Sequence, residues 1–131
     1  MEHIKLSIVT PYGEIFSDNV KSVFLPGSEG EFGVLPGHCD FLSLLKVGVI
    51  EILKADNKRE LVAINWGYAE VTADKVDVLA NGAVAIEGNS ESAISNAIDN
   101  AKNLLKSAAS NEEALVSIAL TKIESNAKQL L

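Results

Sequence analysis

The apolar residues of this 131-residue chain keep one period up to residue 86 and a different one after residue 90. No single repeating architecture accommodates both. In the first part, "IKLSI" alternates Ile4, Leu6 and Ile8 with Lys5 and Ser7, the two-residue period of a half-buried strand. "VKSVFL" (20–25), "VGVIEIL" (47–53), "LVAINWGYAEV" (61–71) and "KVDVLA" (75–80) continue the pattern. Turn-forming residues separate the runs at Pro11-Tyr12-Gly13, Pro26-Gly27, Asp56-Asn57 and Ala73-Asp74. Many short strands in close succession predict an antiparallel β-sandwich or barrel over residues 1–86. None of them alternates with a helix, which argues against a doubly wound α/β fold.

From residue 90 on there is neither glycine nor proline. Ala93/Ile94, Ala97/Ile98, Ala101, Leu104/Leu105 and Ala108 form a helical stripe. "KSAASNEE" interrupts it, and Ser110 with Glu113 has the spacing of a capping box, in which hydroxyl and carboxylate satisfy the free amides of a helix start. A second stripe follows at Leu115, Ile118/Ala119, Ile123, Ala127 and Leu130. Two helices joined by so short a link predict an antiparallel hairpin over residues 87–131. Alanine permits close helix approach but buries little area, at about 25 cal/mol per Å². The hairpin is therefore expected to dock on the β domain or on another protein, as a weakly held part.

The net charge of −7 rests on ten lysines and one arginine, Arg59, against 18 carboxylates. Nucleic-acid backbones and anionic lipids are bound by clustered Lys and Arg, and no basic stripe occurs here. The chain is expected to bind neither nucleic acid nor lipid directly. Cys39 is the only cysteine, which rules out an internal disulfide and suits a reducing compartment. The N-terminal "MEHIKLSIV" has no signal-peptide pattern, and no run of about 18 apolar residues could span a bilayer.

"LPGSEGEFGVLPGHCDFL", residues 25–42, gathers glycines, prolines, Glu29, Glu31, His38 and Cys39. His3, His38 and Cys39 lack the spacing of a zinc site, and Cys39 among Phe41, Leu42 and Leu44 reads as a small buried hydrophobe. "GSEGEFG" is not a phosphate loop: no lysine follows it, and its carboxylates repel phosphate. Glu29 and Glu31 in an exposed turn lack the desolvation that acid–base catalysis uses. The glycines are expected to shape tight turns.

The run "GSEGEFGVLPGH" (27–38), followed by "LLKVGVI" (44–50), resembles the ε subunit of F-type ATP synthases, called δ in mitochondria. "NWGYAEV" (65–71) resembles the family's Gly-Gly-aromatic-x-Glu-Val strand, with Trp66 in place of the first glycine, and "KVDVLA" resembles the strand after it. The resemblance covers the whole chain. It implies a sandwich of about ten strands followed by two helices. It also implies a non-catalytic rotor subunit that clasps γ, rests on the c ring and couples proton flow to ATP synthesis. In such a subunit Glu29, Gly30 and Glu31 would face the polar loops of the c ring, with His38 on or near the same end. The implied location is the cytoplasmic face of the bacterial inner membrane, or its organellar equivalent, reached through the complex.

In many bacterial members the hairpin extends along γ toward the α and β subunits and blocks ATP hydrolysis. Lys122 and Lys128 are the candidates here for such contacts. In some relatives ATP holds the hairpin folded through an Ile-Asp-x-x-Arg-Ala motif. The matching stretch here is "SAISNA" (92–97), with Ala93 for the aspartate and Asn96 for the arginine. ATP binding is therefore expected to be weak or absent, and no other cofactor is implied. Two other readings stay open on sequence: a β-sandwich adaptor of an unrelated assembly, and a small jelly-roll enzyme, for which two histidines 35 positions apart are a poor metal set.

Overall fold

The computed structural model describes residues 3–37, 40–86, 91–108 and 121. Nine strands and one helix lie among them, in the order β1 Ile4–Thr10, β2 Gly13–Gly27, β3 Gly30–Val34, β4 Phe41–Leu45, β5 Gly48–Lys54, β6 Arg59–Ile64, β7 Gly67–Val71, β8 Lys75–Ala80, β9 Ala83–Ile86 and α1 Glu91–Ala108. Lys122, Lys128 and the rest of the expected second helix fall outside the described residues, as do His38 and Cys39.

The strands pair in the order β1-β8-β7-β4-β2-β5-β6-β9, with β3 added to β2. The 15-residue strand β2 is shared between two layers. Its first half pairs with β1, and its second half pairs with β3, β5 and the last residue of β4. Alternate residues of every strand turn inward. Ile4, Leu6 and Ile8 of β1 and Val76 and Val78 of β8 meet Ile50 and Ile52 of β5 and Val62 and Ile64 of β6 in one core. This is the two-layer packing of a β-sandwich.

The sheet is not wholly antiparallel, as the sequence reading had it: β1 and β8 run parallel, from Lys5 beside Lys75 to Val9 beside Leu79. The reason is topological. Strands β1, β8, β7, β4 and β2 close a ring of five, because β2 pairs back onto β1. Directions cannot alternate all the way round an odd ring, so one neighbouring pair must be parallel.

Strand β6 is buried on both faces, which explains the unbroken apolar run "LVAI". Val62 and Ile64 enter the core between the layers. Leu61 and Ala63 point the other way, and with Val47, Val49 and Ile86 they form a second apolar cluster covered by α1 through Ala97, Ile98, Ala101 and Leu104. The helix thus docks on the β domain through the expected alanine-rich stripe. Full burial of an Ile or Leu contributes about 1.5–3 kcal/mol, but Ile98 and Leu104 are only half-buried.

Candidate interaction site

Turn chemistry places the acidic tip. Pro26-Gly27, expected as a turn, instead ends β2, with Pro26 opposite Glu31 and Gly27 opposite Gly30. The reversal falls on Ser28 and Glu29. Gly30 has φ +128°, a conformation other residues rarely adopt, and a Cβ on Gly27 would stand 2.7 Å from the Gly30 carbonyl oxygen. Glu31 consequently lies on strand β3 rather than in the turn. Glu29, Gly30 and Glu31 are all exposed.

Two main-chain hydrogen bonds brace this tip against β4: Ser28 N–H donates to Leu44 O (2.8 Å), and Lys46 N–H donates to Pro26 O (3.0 Å). Each contributes about 0.5–1.5 kcal/mol, so the tip is held in place rather than hanging free. Next to it, a groove of 190 Å³ is lined by Phe24, Glu31, Glu51, Arg59 and Leu61 among others. At the other end of β4, Gly37 N–H donates to Ala73 O (3.0 Å), beside the pairing of Phe41 with Val71.

The end of β4 nearest the acidic tip opens a second surface, one that no run of the sequence displays. Leu44 is paired with Tyr68, Tyr68 with Leu79, and Leu79 with Val9. Directly paired residues share a face, and this face points away from the core. Leu44 is 66% exposed, Leu79 42% and Tyr68 39%. Leu42 and Trp66 add further exposed apolar area at 66% and 56%. Scattered exposed leucines are ordinary, but a continuous apolar row marks a docking surface. The row starts at Leu44, whose carbonyl braces the acidic tip, so the two surfaces adjoin.

Those of the remaining sequence candidates that lie among the described residues are not gathered here. His3 is exposed at the start of β1, and among the described residues no three His, Cys, Asp or Glu side chains are grouped to hold a metal. Position 93 lies on α1, and Asn96 is exposed on the same helix. No described helix is long and apolar enough to cross a membrane.

A strand-built body with an exposed apolar row beside a braced acidic tip has the surface features of a docking protein. The model of the ATP synthase delta/epsilon chain β-sandwich domain matches residues 3–86. The ATP synthase epsilon chain of Wolinella succinogenes is 59% identical over 131 residues, covering 100% of this chain and 99% of that one. That of Helicobacter hepaticus is 54% identical with the same coverage. The chain belongs to the ATP synthase delta/epsilon family, whose members are non-catalytic central-stalk subunits of F-type ATP synthase.

Among solved structures, it resembles a chain of the Euglena gracilis mitochondrial ATP synthase OSCP/F1/c-ring assembly. The TM-score is 0.63 at 25% identity, over 100% of this chain and 83% of that one. A chain of the Tetrahymena thermophila mitochondrial ATP synthase central stalk and c ring matches with TM-score 0.58 at 10% identity, over 89% and 96%; that likeness is one of fold. Family membership sets aside the unrelated-adaptor and jelly-roll-enzyme readings.

Proposed function

We propose that this subunit joins the γ subunit to the c ring, and that the two adjoining surfaces divide the task. The row Val9, Leu79, Tyr68 and Leu44 grips γ. The tip Glu29, Gly30 and Glu31 meets polar and basic groups on the c-ring loops. The observation that carries this reading is the pair of hydrogen bonds from the tip to β4. They tie the c-ring contact rigidly to the γ contact, and a torque-bearing link needs that stiffness. A pre-ordered turn also loses little entropy on docking. The subunit sits on the cytoplasmic face of the bacterial inner membrane, held there by its partners and not by lipid.

Copurification tests the reading: the full chain should retain both γ and the c ring. Glu29→Gln with Glu31→Gln should lower affinity for the c ring by up to about fivefold, roughly 1 kcal/mol, and flatten its salt dependence. Affinity for γ should not change. Equal loss toward both partners, or toward neither, would refute the division of labour.

The small residues Ala97 and Ala101 and the half-buried Ile98 and Leu104 through which α1 meets the β domain support a regulatory hairpin that leaves that domain and reaches the α and β subunits, with Lys122 and Lys128 at the contact. Truncation after Ile86 should then raise ATP hydrolysis by the assembled enzyme several-fold, and an unchanged rate would remove the inhibitory role. With Ala93 and Asn96 where relatives carry Asp and Arg, ATP binding is weak or absent. Calorimetric titration of the pure chain should detect no micromolar site, and finding one would overturn this part.

A further inference from the structure

The turn between β8 and β9 is the dipeptide Asn81-Gly82. This pair is chemically labile. The Gly nitrogen is unhindered and lies four bonds from the Asn side-chain carbonyl carbon, so a five-membered cyclic imide closes easily. The structure supplies the reason for a glycine here. A Cβ on Gly82 would come within 3.1 Å of Asn65 Nδ2 and 3.3 Å of Leu104 Cδ1. Close packing between the turn, Asn65 and helix α1 favours the residue that makes Asn81 vulnerable, and Asn81 is exposed to water.

The same neighbour restrains the reaction. Gly82 N–H, whose nitrogen would be the nucleophile, donates to Asn65 Oδ1 at 2.7 Å. Asn65 N–H donates to Gly82 O at 3.2 Å, and Asn81 N–H donates to Trp66 O at 2.9 Å. Asn65 Oδ1 is itself positioned by the Trp66 N–H at 2.8 Å. To react, Gly82 must give up its proton and swing its nitrogen toward Asn81 Cγ, breaking the bond to Asn65.

We propose that Asn81-Gly82 is a latent deamidation site, kept unreacted by the Asn65 side chain and placed where its conversion releases α1. In the reaction, hydroxide removes the Gly82 N–H proton. The nitrogen bonds to Asn81 Cγ, water protonates Nδ2 and so regenerates the hydroxide, the Cγ–Nδ2 bond breaks, and ammonia leaves. Water then opens the imide at either carbonyl to give an aspartyl or isoaspartyl residue. The isoaspartyl form inserts one extra carbon into the main chain. The two-residue turn then loses its bonds to Asn65, and Leu104 of α1 loses the glycine surface it packs on.

The test is incubation of the full chain at mildly alkaline pH. Peptide mass spectrometry and enzymatic isoaspartyl methylation would locate the product, and limited proteolysis would follow α1. Native protein should convert slowly, and the same chain in urea quickly. Asn65→Ala should accelerate conversion at residue 81 on the order of tenfold, a change of about 1.4 kcal/mol in barrier. Asn65→Asp keeps an acceptor oxygen and should stay slow, which separates loss of the hydrogen bond from general loosening. Converted protein should be cut within α1 sooner than unconverted protein. Equal rates for native chain, Asn65→Ala and urea-unfolded chain would overturn the guarding role. Conversion without faster cleavage of α1 would overturn its link to helix release.

Discussion

Gly67→Ala is expected to cost about 3 kcal/mol, near the upper end for overpacking a closed site. A Cβ at this position would lie 2.2 Å from the Leu79 carbonyl oxygen and 2.9 Å from Ala80 Cα. Both obstacles are main chain of β8, which is fixed between β7 and β1. Relief therefore requires separating β7 from β8, across a ladder that also orders Tyr68 and Leu79. Thermal unfolding should drop by roughly 10–20 °C. Gly33→Ala is the informative comparison. There the added carbon meets the Phe24 ring, at 2.7 Å, and Phe24 is a half-exposed side chain with room to swing outward. Its cost should stay near 1 kcal/mol. Equal melting temperatures for the two variants would show that the β7–β8 backbone yields, contrary to this account.

Leu44→Asp combined with Tyr68→Asp should abolish the grip on γ while leaving the fold intact. The two side chains face each other across β4 and β7 on the outer face. A carboxylate on each puts like charges opposite one another in the middle of an apolar contact. Central apolar and aromatic anchors of an interface carry about 2–4 kcal/mol each, so replacing two of them should lower affinity for γ by about 1000-fold or more. Both residues are largely outside the core, and the melting temperature should move by only a few degrees. Ala55→Asp, in the exposed turn between β5 and β6, should leave binding unchanged. Undiminished γ binding by the double variant would remove the apolar row from the interface.

Much of the β domain was legible because inward and outward phases differ along most strands. Ile4, Leu6 and Ile8 are buried as their alternation predicted, and so are Val76 and Val78. The first half of β2 is not recognisable as a strand in the sequence, because Glu14, Ser17, Asp18 and Asn19 give too little apolar signal; it is held by pairing with β1 instead. Strand β3 was hidden by its glycines. One of these, Gly33, is there because the Phe24 ring lies over it. The helical stripe was legible from Ala97 to Leu104, since its spacing matches the turn of a helix.

The tip at Glu29 to Glu31 was visible as a cluster of turn residues, though not as a braced hairpin. The apolar row left only a faint trace. The outward phase of three strands turns apolar toward one end: Lys5, Ser7, then Val9; Lys75, Asp77, then Leu79; and Glu70 against Tyr68. Each change looks like an isolated exception. Only the registers of β1 with β8, β8 with β7 and β7 with β4 align them.

By itself, then, the sequence determined which face the residues of its clearly periodic segments occupy, and where strand gives way to helix. These are local matters, set by the two-residue and 3.6-residue periods of the backbone. The tertiary structure alone decided which strands became neighbours and in what register, including the parallel pairing of β1 with β8. That choice depends on closing a shared core between segments some 70 residues apart, and burial rewards any inward phase without naming its partner. The docking row exists only as a consequence of that choice.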